Sequence, residues 1–348
     1  TMKLPVALTK FIPAISFWVL LTLTGFAGNV EQIYQFAKPE IRQAGEYQMF
    51  GLGSTLYGGF LGQPVLPYRQ VKLMLPPGES ATGMEIIFSG EVILQGKFNL
   101  YPQQEDRPLS EGVSGIFRKD KDVYTRNAIM PADPKGKLIT AFLDGRAFAL
   151  STFTPVRYNP VTGQLSYYSA ARVIIHSAPD NIAIAALDNF ADASLAPAKL
   201  ADNYLAEKKY SFKRLAPTKV YDLLIVCTSE FKNSFHSLQS NYLSEGLTSL
   251  VVTIDSINSI MAGADVQEKI RNFIIEMHKS HAAQYVMLAG DDELIPHRGF
   301  YCHVESGGGY TDQNIPSDFY YSALDGNWNT DGDALWGEPG EEDLLPDI

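Results

Sequence analysis

The spacing of hydrophobic and polar positions divides this chain into two unlike halves. From about Glu46 to Ser177 the pattern is mostly period two: Met84, Ile86 and Phe88 alternate with Glu85, Ile87 and Ser89. Leu100 and Tyr101 run into Pro102, and Leu138, Thr140 and Phe142 lead to a turn at Gly145. Phe153–His176 reads strand, turn, strand, with Asn159-Pro160-Val161-Thr162-Gly163 as the turn. Short strand-forming runs punctuated by Pro and Gly predict a sandwich or jelly-roll domain. Its one histidine, His176, falls at a strand end and reads as a surface or capping residue.

Residues 178–216 are Ala-rich and polar and close on a charged stretch from Glu207 to Arg214. This composition predicts a linker, with Lys213-Arg214 open to proteases. From Lys219 the period changes. Tyr221–Cys227 (YDLLIVC) is a continuous apolar run, as in a strand buried on both faces. Helical spacing follows over Glu230–Glu245, stopped by Gly246. Leu250–Ile254 gives a second strand, Val266–Lys279 a second helix and Tyr285–Ala289 a third strand. This βαβαβ series predicts a parallel sheet with right-handed crossovers.

The first residues differ from both halves. Lys3 and Lys10 precede an apolar run of 17 residues, Phe11–Ala27, with Gly25 and Ala27 at the small positions a signal peptidase accepts. The run is short for a membrane span and contains Pro13. An exported, bacterial, secreted or cell-surface protein is therefore expected, with no membrane role beyond export. The expected organisation is a signal peptide over 1–27, a β-rich domain over 28–205, a linker or processing region over 206–218 and an α/β unit over 219–348.

Composition narrows the function classes. The chain has 348 residues and a formal net charge of −11, with no basic run; nucleic acid is excluded as the expected partner. Its two cysteines, Cys227 and Cys302, show no metal-ligand spacing, so neither a disulfide scaffold nor a zinc site is expected.

In a parallel sheet, function gathers at the carboxyl ends of strands. There the third strand runs into Gly290-Asp291-Asp292-Glu293, which suits either cation or substrate binding or a solvated, capped loop. No phosphate-cradling glycine pattern follows any strand. A sharper pattern lies at Asp325–Glu338. Counted from Asn327, oxygen-bearing side chains fall at positions 1, 3, 5 and 7, Gly332 at 6 and Glu338 at 12. That is the spacing of an EF-hand loop, in which alternate oxygens wrap calcium. Asp325, Asn327, Asn329, Asp331, Asp333 and Glu338 are the candidate ligands of a structural calcium; the alternative is an Asn/Asp/Gly-rich turn satisfying its own backbone. Position 1 is Asn, and nothing flanking reads as the helix pair of an EF-hand. Cys302, near His297 and His303, is a candidate thiolate–imidazole pair, whereas Cys227 reads as a small apolar core residue. His236, His278 and His281 read as surface or packing residues.

Three segments resemble the gingipain family of secreted cysteine peptidases: Phe153–His176 (FTPVRYNPVTGQLSYYSAARVIIH), Tyr285–Arg298 (YVMLAGDDELIPHR) and Pro316–Glu338 (PSDFYYSALDGNWNTDGDALWGE). The resemblance implies a zymogen: a β-sandwich propeptide, then the first part of a caspase-like, three-layer α/β peptidase domain. It implies protein or peptide substrates, the chain's own propeptide as a partner, and bound calcium. The Gly-His pair and the nucleophilic Cys of the family match no position here, so no catalytic residue is assigned. The expected chain is thus a truncated, amino-terminal part of the precursor, with its Cys/His pair beyond residue 348. The competing expectations are a calcium-stabilised binding or adhesion module and an inactive peptidase homologue.

Overall fold

The computed structural model describes residues 28–104, 116–189, 200–210, 219–304, 310–339 and 345–348. The expected signal peptide and the Lys213-Arg214 site lie outside the described residues.

The amino-terminal part is built from strands. In chain order these are β1 (Gly28–Gln35), β2 (Glu40–Ala44), β3 (Tyr47–Gly51), β4 (Leu56–Gly58), β5 (Leu66–Met74) and β6 (Glu79–Ile93). After a short helix α1 (Lys121–Thr125) come β7 (Ile139–Leu143), β8 (Arg146–Phe153), β9 (Val156–Asn159) and β10 (Gln164–Pro179), then helix α2 (Asn181–Asn189). They form two antiparallel four-stranded sheets, one with β10 between β1 and β6 and with β9 paired to β10, the other ordered β4-β5-β8-β7; β2 and β3 pair separately.

The alternation has a direct physical outcome. Val173 and Ile175 of β10 sit opposite Ile86 and Met84 of β6 and face inward, where Val71 and Leu73 of β5 and Ala149 of β8 share one apolar core. Ile87, one residue out of phase, is 42% exposed. Asn159 shapes the predicted turn by accepting the N–H groups of Val161 and Thr162 on its Oδ1.

The second part contains β11 (Leu223–Cys227), α3 (His236–Ser244), β12 (Ser249–Thr253), α4 (Ile254–Ile260), α5 (Val266–His281) and β13 (Tyr285–Ala289). The sheet order is β12-β11-β13 with every pair parallel. Central β11 buries Leu224, Ile225, Val226 and Cys227 completely. Leu224 and Val226 share a core with Ile270, Phe273, Ile274 and Met277 of α5. An antiparallel hairpin, β14 (Arg298–Val304) and β15 (Tyr310–Ser317), and the short helix α6 (Phe319–Ser322) follow.

Three local features depart from the sequence reading. The helix expected over Glu230–Glu245 begins as a 3-10 turn, Lys232–Phe235, before α3. Gly246 then carries a φ of +86°, which favours glycine after a helix end. Ile254, read as strand, starts the unexpected α4 because Thr253 caps it, its hydroxyl accepting Ser256 N–H at 3.2 Å. Lastly, residues 206–210, expected in the linker, belong to a segment laid against the β-rich part. There Tyr210 packs with Met74 and Phe148 and donates its hydroxyl to Leu75 C=O at 2.9 Å.

Candidate functional site

The loop after α6 is placed by stacking and by one ion pair. Trp328 stacks on Phe300 of β14 with ring centroids 4.4 Å apart. Trp336 lies under the Arg298 guanidinium, 4.0 Å from its carbon. Arg298 in turn makes two 2.9 Å bonds to Asp265, the residue whose carboxylate caps α5 by accepting Glu268 N–H. The bidentate fork and the aromatic face suit a guanidinium better than an ammonium. Burial raises the Asp265 carboxyl, but bonds from Arg298 and from Glu268 N–H outweigh it and hold the group below its ordinary value. Gly337 closes the loop, donating to Trp328 C=O at 2.8 Å with a φ of +69°. A Cβ there would meet the Phe300 ring at 3.1 Å.

Within this frame the side chains of Asp331, Asp333 and Glu338 converge, with one oxygen of each within 4.8 Å of the others. The other three expected ligands have different work. Asn327 Oδ1 accepts Asn329 N–H, and Asn329 Oδ1 accepts Gly332 N–H at 2.8 Å. Asp325 is buried and accepts Gly145 N–H of the β-rich part at 2.7 Å. The loop is therefore a chain of Asx turns in which Asp331 and Asp333 also accept backbone N–H groups, from Asp333 and Leu335. With Glu338 they offer only hard oxygen donors, the chemistry that calcium prefers.

At the carboxyl edge of the sheet, Asp291 C=O accepts the N–H groups of Leu294 and Ile295, turning the acidic loop back on itself. The Asp292 carboxylate lies 3.7 Å from His297 Nδ1. His303 Nδ1 pairs with Thr311 Oγ1 at 2.7 Å. Among the described residues no imidazole bonds the Cys302 sulfur. Cys227 ends the central strand fully buried, its thiol 3.7 Å from Val252 C=O, and burial raises its pKa.

His278, expected as a surface or packing residue, packs between the two parts of the chain. It is largely buried there, with Nδ1 at 2.9 Å from Ala283 C=O and Nε2 at 3.5 Å from the Asp144 carboxylate. Asp347 and Asp144 complete that cluster, and neither stood out in the sequence. The Asp144-Gly145 turn was the one signal there that sequence could offer.

Residues 216–348 match the model of peptidase family C25, and the resemblance to the gingipains holds over that stretch. Phe153–His176 lies outside the matched residues. Two solved structures from Porphyromonas gingivalis are similar. Gingipain K, described for its zymogenic latency, has 18% identity and a TM-score of 0.38, covering 45% of this chain and 90% of that chain. A complex of RgpB pro- and mature domains has 16% identity and a TM-score of 0.36, covering 44% and 79%. No curated protein matches the sequence.

Proposed function

We propose that this chain joins a β-sandwich propeptide to the first part of a caspase-like cysteine endopeptidase domain, in an exported zymogen of gingipain type. The observation that carries the reading is the placement of the family match. It begins at residue 216, after the docked segment that includes Tyr210, and leaves the whole β-rich part outside it. A separately cored unit ahead of a peptidase domain, seated on it by buried contacts, suits a propeptide. Peptide-bond hydrolysis would use a Cys/His pair outside residues 1–348, and neither Cys227 nor Cys302 is assigned to it.

The reading includes a structural calcium held by Asp331, Asp333 and Glu338. These carboxylates would replace part of the ion's water shell and brace the turn between Trp328 and Trp336. No chemistry is routed through the ion.

The complete natural protein, expressed as precursor and then activated, tests the reading. Thiol-dependent hydrolysis of peptide substrates, abolished by iodoacetamide and absent from the unprocessed precursor, is expected. A complete protein that shows no such hydrolysis after separation from residues 28–210 overturns it.

A further inference from the structure

One hairpin turn of the β-rich part is gripped by the α/β part. Asp144 and Gly145, between β7 and β8, have φ values of +49° and +72°, the two-residue turn that Asp-Gly favours. Both N–H groups are directed into the other part. Asp144 donates to Asp347 Oδ1 and Gly145 to Asp325 Oδ2, each at 2.7 Å. The second oxygen of Asp347 accepts Leu324 N–H and Asp325 N–H, so one carboxylate grips both the turn and the loop that receives it.

Among the described residues, the charged groups around the turn are largely enclosed. The Asp144 carboxylate faces His278 of α5 at 3.5 Å. Arg146, wholly buried, donates to Asp144 C=O at 3.2 Å. Arg271 of α5 holds the receiving loop through Ala323 C=O and Gly326 C=O. Tyr210, from the docked segment, accepts Ala147 N–H beside them. Around the turn itself, the described residues place three carboxylates (Asp144, Asp325, Asp347) against the Arg146 guanidinium and one imidazole. With His278 neutral, the enclosed Asp144 carboxylate faces an uncharged imidazole. Ionic charge held away from water is costly unless it is paired, and a proton on His278 pairs Asp144 while one on Asp347 neutralises a buried carboxylate. The parted surfaces are solvated and have no such need.

We propose that the Asp144-Gly145 turn and its socket of Asp325, Asp347 and His278 form a proton-tightened interface, which grips in mild acid and loosens as the medium becomes neutral to alkaline. This inference concerns how the two parts hold each other, and it stands whether or not the complete protein hydrolyses peptides.

The titration of the two groups runs the same way. Burial pushes Asp347 up to about 6. Burial pulls His278 down, but the Asp144 carboxylate, the bond to Ala283 C=O and the Asp347 charge outweigh it and raise the imidazole. A group whose pKa is raised on docking contributes fully below its free value and loses that contribution as pH climbs through the docked value. The loss therefore begins above the ordinary carboxylate value and continues past the ordinary histidine value, about 6.5.

Hydrogen–deuterium exchange on the intact protein tests this, with labelling times scaled to the intrinsic rate at each pH. Protection of Asp144 and Gly145 N–H is expected to fall about tenfold between roughly pH 5 and 8, the equivalent of one full unit of pKa shift, while β11 holds its protection. The double variant His278→Gln/Asp347→Asn, uncharged at these positions at every pH, is expected to flatten the profile. A flat profile in the unaltered protein overturns the proposal, as does an undiminished slope in the double variant. If circular dichroism shows the double variant unfolded, His278→Gln alone decides: a reduced slope supports the interface and an unchanged one overturns it.

Discussion

The side-chain amide of Asn203 acts as an extra strand partner for Met74, accepting its N–H at 2.8 Å and donating to its C=O at 2.9 Å across 129 positions. Beside it, the Asp202 carboxylate accepts Lys72 N–H, the Arg69 guanidinium and the Tyr34 hydroxyl. These bonds fasten the segment leaving the β-rich part to β5, so a cut between 210 and 219 would leave that segment with the β-rich part. Asn203→Ala leaves both backbone groups of a fully buried Met74 without that partner, and a loss of about 1–3 kcal/mol is expected. Urea unfolding followed by circular dichroism measures it.

Asp265 both caps α5 and pairs with Arg298. Asp265→Ala removes a cap and strands a guanidinium that is 9% exposed; about 2–3 kcal/mol is expected, less than for a fully enclosed pair because Asp265 itself is 41% exposed. Its carboxyl is held low when folded, so the contribution is present above the ordinary aspartate value and disappears as pH falls through the lowered one. Thermal melts from neutral pH down to about pH 3 should show the unaltered protein losing stability towards the acid end faster than the variant does.

Calcium should raise the melting temperature of the intact protein, and a chelator should lower it, because an ion that binds only the folded state adds stability by mass action. Asp331→Ala is expected to abolish that response. A melting curve indifferent to both additions counts against an ion at Asp331, Asp333 and Glu338.

Thiol labelling should separate the two cysteines. Cys227 is fully buried with a raised pKa, whereas Cys302 is half-buried on β14. One rapid equivalent in native buffer and two in denaturant are expected, and Cys302→Ser should remove the rapid one.

Local periodicity carried the reading far in some places and stopped in others. The βαβαβ series was legible because a strand buried on both faces must be apolar throughout, while α5 shows a stripe at Ile270, Phe273, Ile274 and Met277 that only a helix gathers on one side. α4 was missed because Ile254 extends the apolar run of β12, and the stop lies in the hydroxyl of Thr253 rather than in hydrophobicity. In the loop after α6, spacing pointed to five oxygen ligands, with Asp325 just ahead of them. Asp331, Asp333 and Glu338 converge, whereas the oxygens of Asn327, Asn329 and Asp325 are turned to backbone N–H groups, which spacing alone cannot reveal.

The sequence by itself determined the βαβαβ series, the turn at Gly145 and the presence of a carboxylate-rich loop, because these depend on neighbours within a few positions. Tertiary structure alone decided that Asp325 would meet Gly145 across 180 residues, and Asp347 Asp144 across 203. Such pairings arise when two independently formed surfaces exclude water together, and each buried N–H must then find an acceptor wherever in the chain one has been brought near.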